Sequence, residues 1–224
     1  MMMGMNLWLL GALEQAEREL RGAVEGGAFY GPTASRHLSC FVGTLADRGA
    51  LDEAHEVASR MIEAWQAQGL RVQESQGRAI LAHVLFRWGK HAAAEREARA
   101  ALERLTFWSV DKVAAMATLA AALLAQDRAA EALAAAEAAM THYEALGAFG
   151  FRGAFARLVH AEALEATGDH AGACRAVTTA RARLQLQAAR IGDLTVRRGF
   201  LENLPENART LALARQWIGN EDEG

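Results

Sequence analysis

Leucine, glycine and alanine recur along this chain in one fixed phase. Leu45 is followed four residues later by Gly49, and five residues after that by Ala54. Leu7, Gly11 and Ala16 repeat the phase, as do Leu85, Gly89 and Ala94. Leu123, Asp127 and Ala132 form a fourth copy with Asp in the glycine slot, and Leu164, Gly168 and Ala173 form a fifth. The glycine slots fall at 11, 49, 89, 127 and 168, spacings of 38, 40, 38 and 41 residues. A period of this size marks an internal repeat of one supersecondary unit. Each copy predicts two helices joined by a tight turn. The leucine lies on the inner face near the end of the first helix, and the glycine ends that helix in the left-handed region. Asp127 can stand in there, because Asp tolerates that region better than most residues. The alanine lies one turn into the second helix, where two closely crossing helices need a small side chain. One turn further on, Ala58, Ala98 and Ala136 keep the slot small, while Leu20 and Val177 fill it in the outer copies.

The remaining apolar positions follow the helical period. Val57, Met61, Ile62 and Trp65 form one stripe, and Leu81, Leu85, Phe86 and Trp88 another. The predicted units are a partial hairpin over 5–25, hairpins over 33–69, 73–105, 110–146 and 154–187, a capping hairpin over 188–219, and a frayed tail over 220–224. Gly26, Gly27, Gly31 and Pro32 mark one linker, and Ser109 is placed to cap the helix after another. Pro205 suits the first turn of a helix, with Ala208, Leu211, Ala212 and Trp217 expected to pack back onto the array. The chain begins inside a repeat, either as a capping half-repeat or as part of a longer protein. The second is expected, because an array cut mid-repeat leaves Leu7, Trp8 and Leu10 poorly covered and able to drive self-association.

These frames resemble the tetratricopeptide repeat, whose helical hairpin carries a small residue or glycine, an aromatic or leucine, a turn glycine and then an alanine. The resemblance spans nearly the whole chain. The period here exceeds the family's roughly 34 residues, the family's Trp and Tyr positions are mostly absent, and its terminal Pro is missing. The longer period is similar to extended repeats in bacterial regulators and kinases, and the closing segment FLENLPENARTL resembles the end of their repeat regions. The resemblance implies an all-α, right-handed α-solenoid of stacked antiparallel hairpins. It also implies a concave face lined by the first helix of each hairpin. On this chain that face maps to Arg36, Gln76, His83, Phe86, Arg87, Ala117, Ala121, Leu124, Phe155, Leu158, Glu162 and Glu165. Such a groove would be basic at one end, apolar in the middle and acidic at the other.

Composition narrows the partner. The net charge is −3, from 24 basic and 27 acidic residues, which is too balanced for the basic stripe that nucleic acid requires. Hydrophobic residues make up 52% of the chain, yet no apolar run reaches the roughly 20 residues of a membrane span. The apolar start lacks the basic residues of a signal peptide. Cys40 and Cys174 read as small buried residues of a reducing compartment, so a cytoplasmic protein is expected.

Chemistry-bearing patterns are sparse. There is no HExxH and no Gly-x-Ser-x-Gly elbow, and the glycines of 147–153 lack the Lys and Ser/Thr of a phosphate loop. His55, His91 and His170 fall at or just after turns and read as solvated. Cys40 has His37 one helical turn before it, which reads as a packed cysteine beside an exposed histidine. No catalytic residue, metal ligand or cofactor is expected. The expected function is a non-catalytic scaffold that binds a protein or peptide in its groove. The alternative is the ligand- or peptide-sensing region of a larger bacterial regulator or kinase.

Overall fold

The computed structural model describes residues 2–25, 34–105, 110–148 and 152–219. The linkers 26–33 and 106–109, residues 149–151 and the tail 220–224 lie outside the described residues, as do the side chains of 34–36. The described residues form twelve helices and no strand. They are α1 (Met2–Leu9), α2 (Leu13–Glu25), α3 (Ala34–Asp47), α4 (Leu51–Ala67), α5 (Arg71–Arg87) and α6 (His91–Leu102). α7 (Val110–Leu124), α8 (Ala129–Ala145), α9 (Gly153–Ala166), α10 (His170–Ala189), α11 (Leu194–Glu202) and α12 (Pro205–Ile218) follow. Each helix packs on its chain neighbour, and α1, α3, α5, α7 and α9 also pack on one another in series.

The turn geometry explains the repeated frame. All five glycine-slot residues have positive φ: 71° at Gly11, 84° at Gly49, 75° at Gly89, 58° at Asp127 and 88° at Gly168. In every copy the residue after that slot donates its N–H back to the carbonyl of the frame leucine. These bonds are Ala12 to Leu7 (2.9 Å), Ala50 to Leu45 (2.9 Å), Lys90 to Leu85 (2.9 Å), Arg128 to Leu123 (3.0 Å) and Asp169 to Leu164 (3.0 Å). This six-to-one closure satisfies a helix-end carbonyl and needs a left-handed residue at one position only. The same donor residue's carbonyl then accepts the first bond of the next helix, from Ala16, Ala54, Ala94, Ala132 or Ala173. All five of those alanines are fully buried. The spacing from leucine to glycine to alanine is thus set by one hydrogen-bonded turn.

Glutamates just after two of those alanines clasp the next hairpin. Glu17 pairs with Arg48 and Arg21, and Glu95 pairs with Arg128 at 2.7 Å. Burial pushes both carboxyls up, but the guanidinium partners outweigh it and hold each below its ordinary value.

The first and last hairpins touch. Asn203 on the turn after α11 donates its amide to the Gly11 carbonyl at 2.9 Å. A Cβ on Gly11 would collide with the carbonyl of Gly199 on α11. Leu13 packs against the cluster of Leu184, Ala188, Phe200 and Leu204. The Arg152 guanidinium at the start of α9 lies 5.2 Å above the Trp8 ring on α1. The series of hairpins therefore curls until its ends meet. Trp8 is buried, its ring against Gly43 of α3 and its indole N–H on Asp47, contrary to the uncovered position the sequence suggests for it.

Pro205 opens α12 as expected. Leu211 and Trp217 pack back onto the array as expected, but the most buried face of α12 lies beside them. Glu206, Asn207, Thr210, Leu213 and Ala214 are buried, whereas Ala208, Leu211, Ala212 and Trp217 are only half-buried. The polar residues turn inward because they find partners there. Asn207 donates to the Phe200 carbonyl at 2.8 Å, Thr210 donates to the Glu206 carbonyl at 2.7 Å, and Glu206 faces Arg152 at 3.6 Å.

Candidate functional site

The expected groove residues separate into three groups. The first is buried. His83 is 3% exposed, Phe155 6% and Leu158 5%, so their side chains are not offered to a partner. The His83 ring stands edge-on to Phe155 at 5.0 Å and near Phe86 at 6.4 Å. Leu158 packs with Val177, Leu213 and Ala214, where α12 covers it. An apolar residue on a first helix reads as groove-lining in an open array. Here α12 lies across α9 and turns the same position into core.

The second group is engaged in hydrogen bonds. Arg87 Nη1 donates to Asp47 Oδ1 at 3.0 Å, and the Trp8 indole N–H donates to Asp47 Oδ2 at 2.7 Å. The Asp47 side chain is only 1% exposed. Arg87 is thus neutralised and does not supply a free basic end to a groove. Gln76 donates to Asp111 at 2.9 Å between α5 and α7. The side chain of Arg36 lies outside the described residues.

Behind these residues is a buried charged centre. Asp47, Arg87, Arg152 and Glu206 influence one another there. Burial and the neighbouring Asp47 push the Glu206 carboxyl up, against the pull of Arg152 and Arg87. Burial, Arg152 and Arg87 together push His83 well below the ordinary imidazole value. Neither ring nitrogen of His83 has a hydrogen-bond partner.

The third group forms a cleft. Phe86, Ala121, Leu124, Glu162 and Glu165 come together around a volume of about 440 Å³, joined by Arg209 and Trp217. The middle of the expected face and its acidic end are thus adjacent. The α12 residues Arg209 and Trp217 were missed by the sequence reading. Arg209 lies 47 residues from Glu162 yet pairs with it at 3.0 Å. Nothing in the repeat phase places α12 over α9, because the capping hairpin carries no copy of the frame.

At one edge of the cleft the turn between α9 and α10 sets three side chains in a row. Gly168 ends α9, and Asp169 caps α10 by accepting from the Gly172 N–H at 2.8 Å. This makes His170 the first residue of α10 and puts Cys174 one turn later on the same face. Glu165, in the last turn of α9, accepts from or faces His170 Nδ1 at 2.8 Å, while His170 Nε2 lies 3.4 Å from Cys174 Sγ. Cys174 Sγ also approaches the Trp217 carbonyl at 3.8 Å. Cys174 is half-buried rather than core, and His170 is solvated as predicted, with 60% of its side chain exposed. Cys40 is buried, and neither cysteine forms a disulfide. The weak signal for the pair at 170 and 174 is a His and a Cys at helical spacing just after a turn.

No protein-family model matches the chain, and no curated protein matches it. Among the described residues no helix is long and apolar enough to cross a membrane.

Proposed function

We propose that this protein is a binding module that holds a peptide segment of a protein partner in the cleft between α5, α7, α9 and α12. The cleft carries the reading. Phe86, Leu124 and Trp217 supply apolar walls, and Glu162 and Glu165 line it together with Arg209, which pairs with Glu162. A short segment with one aromatic or aliphatic anchor and a neighbouring Lys or Arg would match both features, the anchor giving affinity and the charge giving orientation. The near-balanced charge of the whole chain supports a protein partner over nucleic acid. In this reading the fold is a right-handed, tetratricopeptide-like array, working in the cytoplasm without a cofactor.

A second reading is a sensor, in which a ligand alters the closure between the first and last hairpins. The contact of Gly11 with Gly199 and Asn203 favours it, because it joins the first turn of the chain directly to the last hairpin.

Panning a library of short peptides on the full chain tests the first reading. Enriched peptides should combine an apolar anchor with basic residues, and should lose binding to a Leu124→Arg variant that keeps its helicity. Failure to enrich any such peptide, or binding indifferent to Leu124→Arg, would reject the cleft as the peptide site.

A further inference from the structure

We infer that Cys174 is a nucleophilic thiol, served by His170 as base and Glu165 as the group that positions His170, and that it forms a mixed disulfide with a small cationic disulfide entering the cleft. Three observations on different elements converge. His170 Nε2 is within reach of Sγ at 3.4 Å, and the opposite ring nitrogen is held by Glu165 at 2.8 Å. Base, nucleophile and orienting carboxylate in this order are the arrangement that activates a thiol. Glu165, which holds His170, and Trp217, whose carbonyl lies 3.8 Å from Sγ, are also walls of the cleft of about 440 Å³, so a small reagent has a place to sit next to the thiol–imidazole pair.

The choice of electrophile follows from what surrounds the sulfur. Disulfide exchange needs a thiolate and access, and needs no separate site for a developing oxyanion. His170 takes the Sγ proton. The thiolate attacks one sulfur of the disulfide, a new S–S bond forms as the old one breaks, and the departing thiolate takes the proton from His170. One disulfide is exchanged for another, so no further oxidant is required. Glu162, Glu165 and Arg209 line the cleft; Arg209 is paired to Glu162 and Glu165 faces His170, so the lining keeps a net negative charge, which favours a cationic reagent over an anionic one. Cys40 is buried in the cluster around Trp8 and Phe41, away from the cleft walls. The adduct would therefore persist until an external thiol removes it. The thiol chemistry stands whether or not a peptide binds in the cleft.

The test uses the reduced full chain and two probes, the cationic disulfide cystamine and the anionic dithiodiglycolate. Adduct formation at pH 7 is followed by intact mass, with the site read by peptide mapping. The reference is the same chain unfolded in urea. An ordinary thiol is only about 3% thiolate at pH 7, so a base held on the sulfur has room to speed its attack. Folded Cys174 should therefore react with cystamine about tenfold faster than in the unfolded chain, with a smaller gain for dithiodiglycolate. His170→Ala should abolish the gain while leaving helicity unchanged, and added imidazole should restore part of it. Glu165→Gln should lower the rate less than His170→Ala, and imidazole should not restore it. A folded rate no greater than the unfolded one, an adduct at Cys40, or a His170→Ala rate indifferent to imidazole would overturn the assignment. An equal or larger gain with dithiodiglycolate would overturn the cationic class.

Discussion

Gly11 meets Gly199 so closely that a Cβ on Gly11 would collide with the Gly199 carbonyl, although the two are 188 positions apart in the chain. The contact joins the first turn of the array to its last hairpin and is reinforced by the bond from Asn203 to the Gly11 carbonyl.

That closure can be separated from turn strain. Gly11 and Gly49 share a positive φ, but a Cβ on Gly49 meets open space. Gly49→Ala should cost about 1 kcal/mol from the left-handed backbone alone. Gly11→Ala should cost about 1–3 kcal/mol more, from overpacking against Gly199. Urea melts of the two variants check this. Equal losses would show that the ends of the array do not meet in solution.

Asp47 is the shared acceptor of Trp8 and Arg87. Asp47→Ala leaves a partly buried guanidinium and a buried indole N–H without their acceptor, and should cost about 3 kcal/mol or more. Adding Arg87→Met should recover part of that loss, giving a coupling of at least about 1 kcal/mol in a double-mutant cycle. Additive losses would mean that the two residues do not form a pair.

His83 should make stability fall on mild acidification. Its folded pKa is well below its unfolded value because burial comes with Arg152 and Arg87 nearby. Between the two values the unfolded chain binds more protons. The contribution is fully present above the ordinary imidazole value and is lost as pH falls from about 6.5 towards the folded value. Glu206, with a raised value, acts in the opposite sense and loses stability as pH rises above the carboxylate range. His83→Phe removes the first effect only. It should also stabilise the protein at neutral pH by about 1 kcal/mol, since neither ring nitrogen is hydrogen-bonded in the fold. Melting temperatures of both proteins from pH 7 to pH 5 should diverge as the pH falls. Parallel curves would refute the assignment.

Asp127 is the one frame residue that takes the left-handed conformation without being glycine, at φ 58°. Asp127→Gly should stabilise the protein by about 0.5–1 kcal/mol, the relief of backbone strain being partly offset by the greater freedom of the unfolded chain. Calorimetry would register this as a rise in melting temperature. A fall would show that the Asp side chain contributes more than its backbone costs.

The five turns and the all-helical packing were legible in the sequence because their causes are local. A six-to-one hydrogen bond spans six residues, so leucine, glycine and alanine must recur at fixed offsets wherever it forms. The cleft was half legible. Phe86, Leu124, Glu162 and Glu165 lie on the first helices that the repeat phase aligns, but Arg209 and Trp217 reach it from a hairpin outside the repeat. The burial of His83, Phe155 and Leu158 was not legible, because the same apolar positions line an open groove or fill a core depending on what lies across them. Tertiary structure alone decided that the array closes, that Asp47 joins Trp8 to Arg87, and that Trp217 comes up against Cys174. Those pairings depend on small rotations between hairpins accumulated over the whole chain, and no single residue spacing records that sum.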